Sequence, residues 1–491
     1  MNKSTLINAT RQKDTVTANN AVTNSTSLSN CLDLFFLAGA SRKAAMEDDM
    51  ASLIVKFERA LQEDKILTYK ILFWARDCRG GAGEKKFFQN MAKYIQDRYP
   101  HDWVKLYVLI PVYGYWKDLF TIETPTNRTI EFLANTLSAT DEGTSSLLAK
   151  WFPRKGVWFN TMHKAMKVLP KAFRKYLVSR TNVVETQMCN NEWDKIEYSK
   201  IPSIAMHKYR NTFGRRDAER FTKFNEAVIK GEETVNASVL YPHSLYEALQ
   251  GGQDETAVQA QWMSLPNYLE NSNENILPVC DVSGSMNGLP MAVSVSLGLY
   301  ISERNESIFK NAFITFSGNP EMVYITGGTL LQKMSQIESA DWGMNTNIDG
   351  VFNLILESAV KGNVPEKDMP TKILIISDME FDQSQRDDHN MWGLHEKCVR
   401  VPKWDITAIE MMEQKYKDAG YKMPGIIFWN VNGRVGNVPA NEHHHNVGLV
   451  SGFSPAILTS ILGGEEFTPK SLMLKALNVE RYDAVSECLT S

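Results

Sequence analysis

The chain has 491 residues, enough for two large domains or about three of average size. Hydrophobic residues make up 43%, which can fill complete cores, and a formal net charge of −4 excludes a uniformly basic nucleic-acid coat. Six scattered cysteines without a Cys-x-x-Cys pair exclude a zinc ribbon and a disulfide framework.

Residues 1–27 are rich in Asn, Thr and Ser with few large apolar side chains, so a disordered or draped arm is expected there. "MNKSTLINATRQKDTVTANN" lacks the apolar core of a signal peptide. No apolar run approaches the roughly 20 residues of a membrane span. A cytoplasmic protein without membrane contact is therefore expected. Structure is expected from "CLDLFFLAGASR" onward. Met46, Met50, Leu53, Ile54, Phe57 and Leu61 recur at spacings of 3 and 4, one face of an amphipathic helix. Similar segments continue to about residue 255, separated by breakers such as "RGGAG" and "PRKG". Residues 28–260 are thus predicted to be all-helical, a repeat-like ring or arc without an exact period. The glycines of Arg79 to Gly83 do not make a phosphate loop, because G-x-x-x-x-G-K-[ST] is absent and no strand precedes them. They predict a helix-helix turn using positive φ.

The charge is unevenly spread. Lys150 to Lys230 carries 18 Lys and Arg against 7 Asp and Glu, leaving a net −15 for the rest of the chain. Such a split points to a polyanionic partner. Aromatic residues interleave with the cations at Lys150, Trp151, Phe152, Arg154 and Lys155, at Phe173, Arg174, Lys175 and Tyr176, and at Tyr209, Arg210, Phe213, Arg215 and Arg216. Cations neutralise phosphates and aromatic planes stack unpaired bases, so a small non-coding or single-stranded RNA is a candidate partner. The competing reading makes the aromatics core and the cations a solvated helix face.

The pattern changes near "SLPNYLENSNENILPV". Short apolar strands are predicted at Ile276–Asp281, Ala312–Ser317, Met322–Ile325, Ile373–Asp378 and Ile426–Val431. Helices alternate with them. Leu289–Ile301 is apolar nearly all round, as for a helix buried on a sheet. Ile348, Val351, Phe352, Ile355 and Leu356 form a stripe at i, i+3, i+4, i+7, i+8. Alternating strands and helices predict a doubly wound, mostly parallel, Rossmann-like α/β domain over 272–465, with a helical tail over 466–491. "EHHHN" (His443 to His445) is expected to be a surface loop.

Ligands of such sheets sit beyond the carboxyl ends of the strands. Asp281, Ser283 and Ser285 follow the first strand in "NILPVCDVSGSMNG". Thr346 lies before the striped helix in "WGMNTNIDG", and Asp378 ends another strand in "ILIISDMEFD". This all-oxygen set suits a hard cation, Mg2+ or Mn2+. Any one of these residues alone equally reads as a helix cap. Together they resemble the metal-ion-dependent adhesion site of von Willebrand factor A domains. That resemblance implies that all five hold a cation directly or through water, with one place open for an acidic group of a partner. Asn347 follows Thr346 where relatives often have Asp, which lowers the local negative charge.

"NNAVTNSTSLSNCLDLFFLAGASR", "WARDCRGGAGEKKFF", "YGYWKDL", "KWFPRKG" and "WDKIEYSKIPSIAM" resemble an uncharacterised family that joins a helical region to a von Willebrand A domain. "FWNVNGRVG" and "NVGLVSGFSP" fit it too. The same domain order is similar to the Ro autoantigen type, whose TROVE domain is a ring of helical repeats that binds RNA and is closed by the A domain. The resemblance implies an RNA-binding scaffold, and the basic window from Lys150 to Lys230 offers Lys150, Arg154, Lys155, Arg174, Lys175, Arg210, Arg215 and Arg216 as its contacts. No catalytic Ser, Cys/His or His-Glu-x-x-His motif appears, so no enzyme is expected. The alternative function is a metal-dependent interaction or assembly factor without RNA, whose partner donates an acidic residue to the metal.

Overall fold

The structure is a computed structural model describing residues 15–16, 22–43, 49–270, 272, 274–316, 320–338, 348–381, 407–433, 437–462 and 467–490. A helical half is followed by an α/β domain with a six-stranded sheet. Among the described residues from Asn30 to Met263 every regular element is a helix.

The helical half is built from short amphipathic helices joined by tight corners. Met50–Glu63 buries Leu53, Phe57 and Ala60 on one face, as its 3–4 spacing predicts. Asp64 then ends that helix and starts the next, Lys65–Arg76, where its carboxylate accepts the Leu67 N–H at 2.9 Å. The "RGGAG" corner follows. Gly83 takes φ +76°, and a Cβ on Gly81 would stand 2.1 Å from the Trp74 carbonyl oxygen. A side chain at either place would break the turn. One continuous core runs from these helices into the sheet, and a second, smaller core lies under Val184–Ala260.

In the α/β domain the strands are β3 (Ile276–Asp281), β4 (Ala312–Phe316), β5 (Met322–Tyr324), β6 (Lys372–Ser377), β7 (Gly425–Asn430) and β8 (Val447–Ser451). β1 (Thr15–Val16) and β2 (Val22–Thr23) form a separate antiparallel pair. The sheet order is β5-β4-β3-β6-β7-β8, parallel except for β4 with β5. Chain order reverses between β3 and β6, which makes that gap the switch point of the sheet. The helix Leu289–Arg304 covers it. A Cβ on Gly298 would come 2.1 Å from Cys280 Sγ, so only glycine lets this helix approach β3 so closely. Ser294 Oγ donates to the Ile376 carbonyl at 3.1 Å and ties the same helix to β6.

The two ends of the helical half both rest on the α/β domain. At its start, the helix Asn30–Ala38 buries Leu32, Leu34, Phe35 and Phe36 almost completely. Ser451 Oγ, at the end of β8, donates to the Phe35 carbonyl at 2.9 Å and accepts the Gly39 N–H at 3.1 Å. At its finish, Trp262 Nε1 donates to Glu303 at 2.5 Å, and Arg304 donates to the Trp262 carbonyl at 2.8 Å. The arm is a draped strap over residues 22–27: Asn24 and Val438 exchange backbone hydrogen bonds, and Glu442 N–H donates to the Ser27 carbonyl at 2.8 Å. The tail crosses back. Arg481 pairs with Asp77 of the glycine corner, and Tyr482 Oη donates to the same carboxylate at 3.0 Å.

Candidate metal site and candidate nucleic-acid surface

β3 ends on Asp281 and β6 on Ser377. Their register sets Cys280 opposite Ile376, so Asp281 and Ser377 become neighbours one pair further on. Ser377 Oγ donates to Asp281 Oδ2 at 2.5 Å, and the Ser283 N–H donates to Oδ1 at 2.9 Å. Ser283 Oγ and Ser285 Oγ stand 3.1 Å apart. Asp378 follows directly, buried, with Oδ1 accepting the Glu380 N–H at 3.2 Å. Burial pushes the Asp281 carboxyl up to about 6, the Asp378 charge adds to that, and the Ser377 and Ser283 bonds hold it back. Four of the five expected residues thus meet at the switch point. Thr346 lies outside the described residues.

This arrangement fits a hard divalent cation. Two buried carboxylates next to each other repel, and two hydroxyl oxygens lie beside them without thiolate or imidazole. Among the described residues no three or more His, Cys, Asp or Glu side chains converge, so a cation here would need hydroxyls and water to complete its coordination. When bound, the cation would neutralise the Asp281–Asp378 repulsion and offer a coordination place to an acidic group. Asp281→Asn should therefore weaken magnesium binding at least about tenfold, since even groups behind the ligands commonly matter that much. Its melting temperature without cation should not fall, because the substitution removes one of two repelling charges. Calorimetric titration and thermal unfolding check both; an unchanged isotherm removes Asp281 from the ligand set.

Sequence reasoning missed Ser377, Glu380 and Asn437 around this site. Asn437 Nδ2 donates to the Met379 carbonyl at 2.6 Å and lies 3.4 Å from Glu380 Oε1. "SDME" carries Ser377 and Glu380 in plain view. Nothing local marks Asn437, which comes from the segment after the neighbouring strand β7.

The expected RNA contacts divide. Arg154, Lys155, Arg174, Lys175, Arg215 and Arg216 are exposed. Lys150 is half-buried and paired with Glu185 at 2.6 Å. Arg210 departs from the expectation. It is buried, its guanidinium donates to the His207 carbonyl at 2.6 Å, and a phosphate cannot reach it. Its signal was present, since Met206, Arg210 and Phe213 share one buried stripe of Ser203–Arg216. Half of the six interleaved aromatics are core: Phe152, Phe173 and Phe213 are at most 2% exposed, while Tyr176 and Tyr209 are half-buried. Trp151, 42% exposed with Lys150 Nζ 5.4 Å from its ring, is the one left open as a stacking surface among the tryptophans and phenylalanines of those three groups.

The chain resembles two families at once. Residues 275–486 match the model of a domain of unknown function, DUF7788, and residues 17–126 and 158–274 match that of another, DUF2828. An uncharacterized protein of Acanthamoeba polyphaga mimivirus is 29% identical over 510 aligned positions, which take in 92% of this chain and 85% of that protein. Among solved structures, that of the Deinococcus radiodurans Ro (RSR) protein aligns with 90% of this chain and 93% of its own, at 12% identity and a TM-score of 0.36.

Proposed function

We propose that the protein is a non-catalytic, cytoplasmic scaffold that binds RNA on its helical half and holds a divalent cation, Mg2+ or Mn2+, at the strand ends of its α/β domain. One observation carries the RNA reading. Residues 143–184 contain nine Lys and Arg and no Asp or Glu. The helices Val157–Ala165 and Pro170–Arg180 bury Phe159, Met162, Phe173 and Leu177 inward. That burial turns Arg174 and Lys175 outward, beside the exposed Arg154 and Lys155 of the preceding corner. Glu185 neutralises Lys150 at 2.6 Å, but the exposed Arg154, Lys155, Arg174 and Lys175 stand in a stretch without acidic residues and can attract phosphates. Among the described residues no helix is long and apolar enough to cross a membrane, and the described cysteines are free thiols. The free thiols fit a reducing compartment.

The test is binding of a fluorescent single-stranded RNA across a salt series. Affinity should fall steeply with salt. Reversing Arg154, Lys155, Arg174 and Lys175 to Glu should flatten the log–log slope by about 3, as expected when roughly four phosphate contacts on a single strand are lost. The melting temperature should fall only a little, because the four side chains are exposed and only Arg174 stacks on the core, 4.6 Å from the Phe159 ring. An unchanged slope rejects this surface.

The same region favours one second reading. Val157, Leu169 and Val178 are more than 60% exposed among the cations. An acidic protein partner with apolar side chains would use both features. It would show itself by RNA affinity that is absent at every salt concentration.

A further inference from the structure

We infer that the strap of residues 22–27 sets the geometry of the candidate cation site, with Asn437 as the positioning residue between them. This rests on the metal reading of Asp281 and Asp378 above. The Thr23 hydroxyl shares its proton between Asn437 Oδ1 at 3.0 Å and the Val438 carbonyl at 3.1 Å. Asn437 Nδ2 donates to the Met379 carbonyl at 2.6 Å. Met379 N–H donates to Ser377 Oγ at 3.0 Å, and Ser377 Oγ donates to Asp281 Oδ2 at 2.5 Å. The strap is thereby joined to a proposed ligand by hydrogen bonds on both sides of the Met379 backbone. Each group has a fixed role. Met379 offers a carbonyl, so Asn437 must face it with its amide nitrogen and turn its oxygen to Thr23.

The loop between the two ends needs holding. Met379 has φ +65°, a left-handed conformation that a residue with a side chain keeps only when its surroundings impose it. Its neighbour Asp378 is the second proposed carboxylate ligand. If Met379 relaxes to negative φ, the Asp378 side chain leaves its place beside Asp281.

The other end of the strap is fastened to the helical half. Ser27 N–H donates to Asp33 Oδ1 at 2.6 Å, and Asp33 Oδ2 pairs with the buried Lys56 at 3.0 Å. Asp33 belongs to the helix Asn30–Ala38 and Lys56 to Met50–Glu63. A shift of the helical half against the sheet therefore pulls on Thr23 and Asn437, and through them on the cation site. Linkage makes this reciprocal, so a bound cation tightens the strap.

The experiment uses the full chain. Magnesium is titrated calorimetrically into the parent protein, Asn437→Ala, Thr23→Val and Thr23→Ser. Hydrogen exchange of residues 377–381 is followed in the same proteins without cation. Asn437→Ala should weaken magnesium about 10–100-fold, as for other groups that orient metal ligands. Thr23→Val should weaken it less, and Thr23→Ser, which keeps the hydroxyl, should match the parent. Exchange at 377–381 should speed up in Asn437→Ala and Thr23→Val alone. Unchanged affinity together with unchanged exchange overturns the inference. If the parent binds no magnesium, the metal reading fails by itself and exchange alone decides: faster exchange supports the positioning role, and unchanged exchange rejects it. Should Asn437→Ala not fold, Thr23→Val and Thr23→Ser decide in the same way.

Discussion

Asp118→Ala is expected to destabilise the helical half by about 3–5 kcal/mol, the usual cost of leaving one charge of a buried pair alone. Arg76 and Asp118 are at most 2% exposed. Arg76 Nε and Nη2 both donate to Asp118 Oδ2, at 3.0 and 2.7 Å. Asp118 also accepts Gln89 Nε2 at 2.7 Å and the Tyr115 N–H at 3.0 Å. Gly114 makes room for the pair, since a Cβ there would stand 2.7 Å from Asp118 Oδ2. Without the carboxylate, Arg76 keeps its charge in a place water does not reach. The double variant Arg76→Met/Asp118→Leu should recover much of the loss, because it removes both charges and fills the space. Urea unfolding followed by far-UV circular dichroism checks this on the first transition. A double variant as unstable as the sum of the singles would mean that the pair does not act as a unit.

Acid should unfasten the contact between the halves before it unfolds the sheet. His243 sits between Tyr241 and Phe453, the latter just past β8. Burial, with Arg42 and His207 adding to it, pushes His243 down to about 4. Burial and the Arg210 guanidinium do the same to His207. Both imidazoles are thus neutral in the folded chain, whereas in the unfolded chain they titrate near 6.5. Folded protein binds fewer protons between those values. The stability these groups allow is fully present above about 6.5 and is lost as pH falls towards 4. The loss is roughly 3 kcal/mol for His243, and less for His207, where partial exposure screens the charge. The measurement is melting temperature against pH for the parent and for His243→Phe, which keeps the ring packing and cannot titrate. The variant should lose less between pH 6.5 and 4.5. Parallel curves would clear His243 of any part in the acid response, since carboxylates titrate alike in both.

Local patterns in the sequence carried much of the architecture, and the misses have physical reasons. The strand Ile276–Asp281 was legible because a buried parallel strand is a short apolar run, and this one stops at an aspartate. β8 was not, because "VGLVS" is short and interrupted by Gly448, where a Cβ would meet Leu472 at 2.4 Å. Its glycine serves a tail helix that no window around β8 contains. Asp281, Ser283, Ser285 and Asp378 were legible as a set because strand ends in an alternating fold must share one edge. The groups behind them were not. Ser377 faces Asp281 only through a pairing register, and Asn437 reaches Met379 from the β7–β8 connection, some 58 residues later in the chain. Arg210 was misplaced because its charge drew more weight than its position on a buried stripe. The arm looked loose because its side chains are polar, yet its backbone pairs with Val438, and backbone pairing leaves no mark in composition.

The docking of the Asn30–Ala38 helix on β8 also has a cost in time. The Ser451 hydroxyl that bonds to the Phe35 carbonyl lies 416 residues later in the chain. At about 5–20 residues per second, synthesis takes roughly 20–80 s to cover that distance. For all of that interval the ribosome holds a nascent chain whose Asn30–Ala38 helix, with Leu34, Phe35 and Leu37 among its apolar residues, has met its helical neighbours but not its strand. That is far longer than hydrophobic collapse needs, so the apolar face must be shielded by chaperones or by temporary non-native contacts until the last part of the sheet emerges.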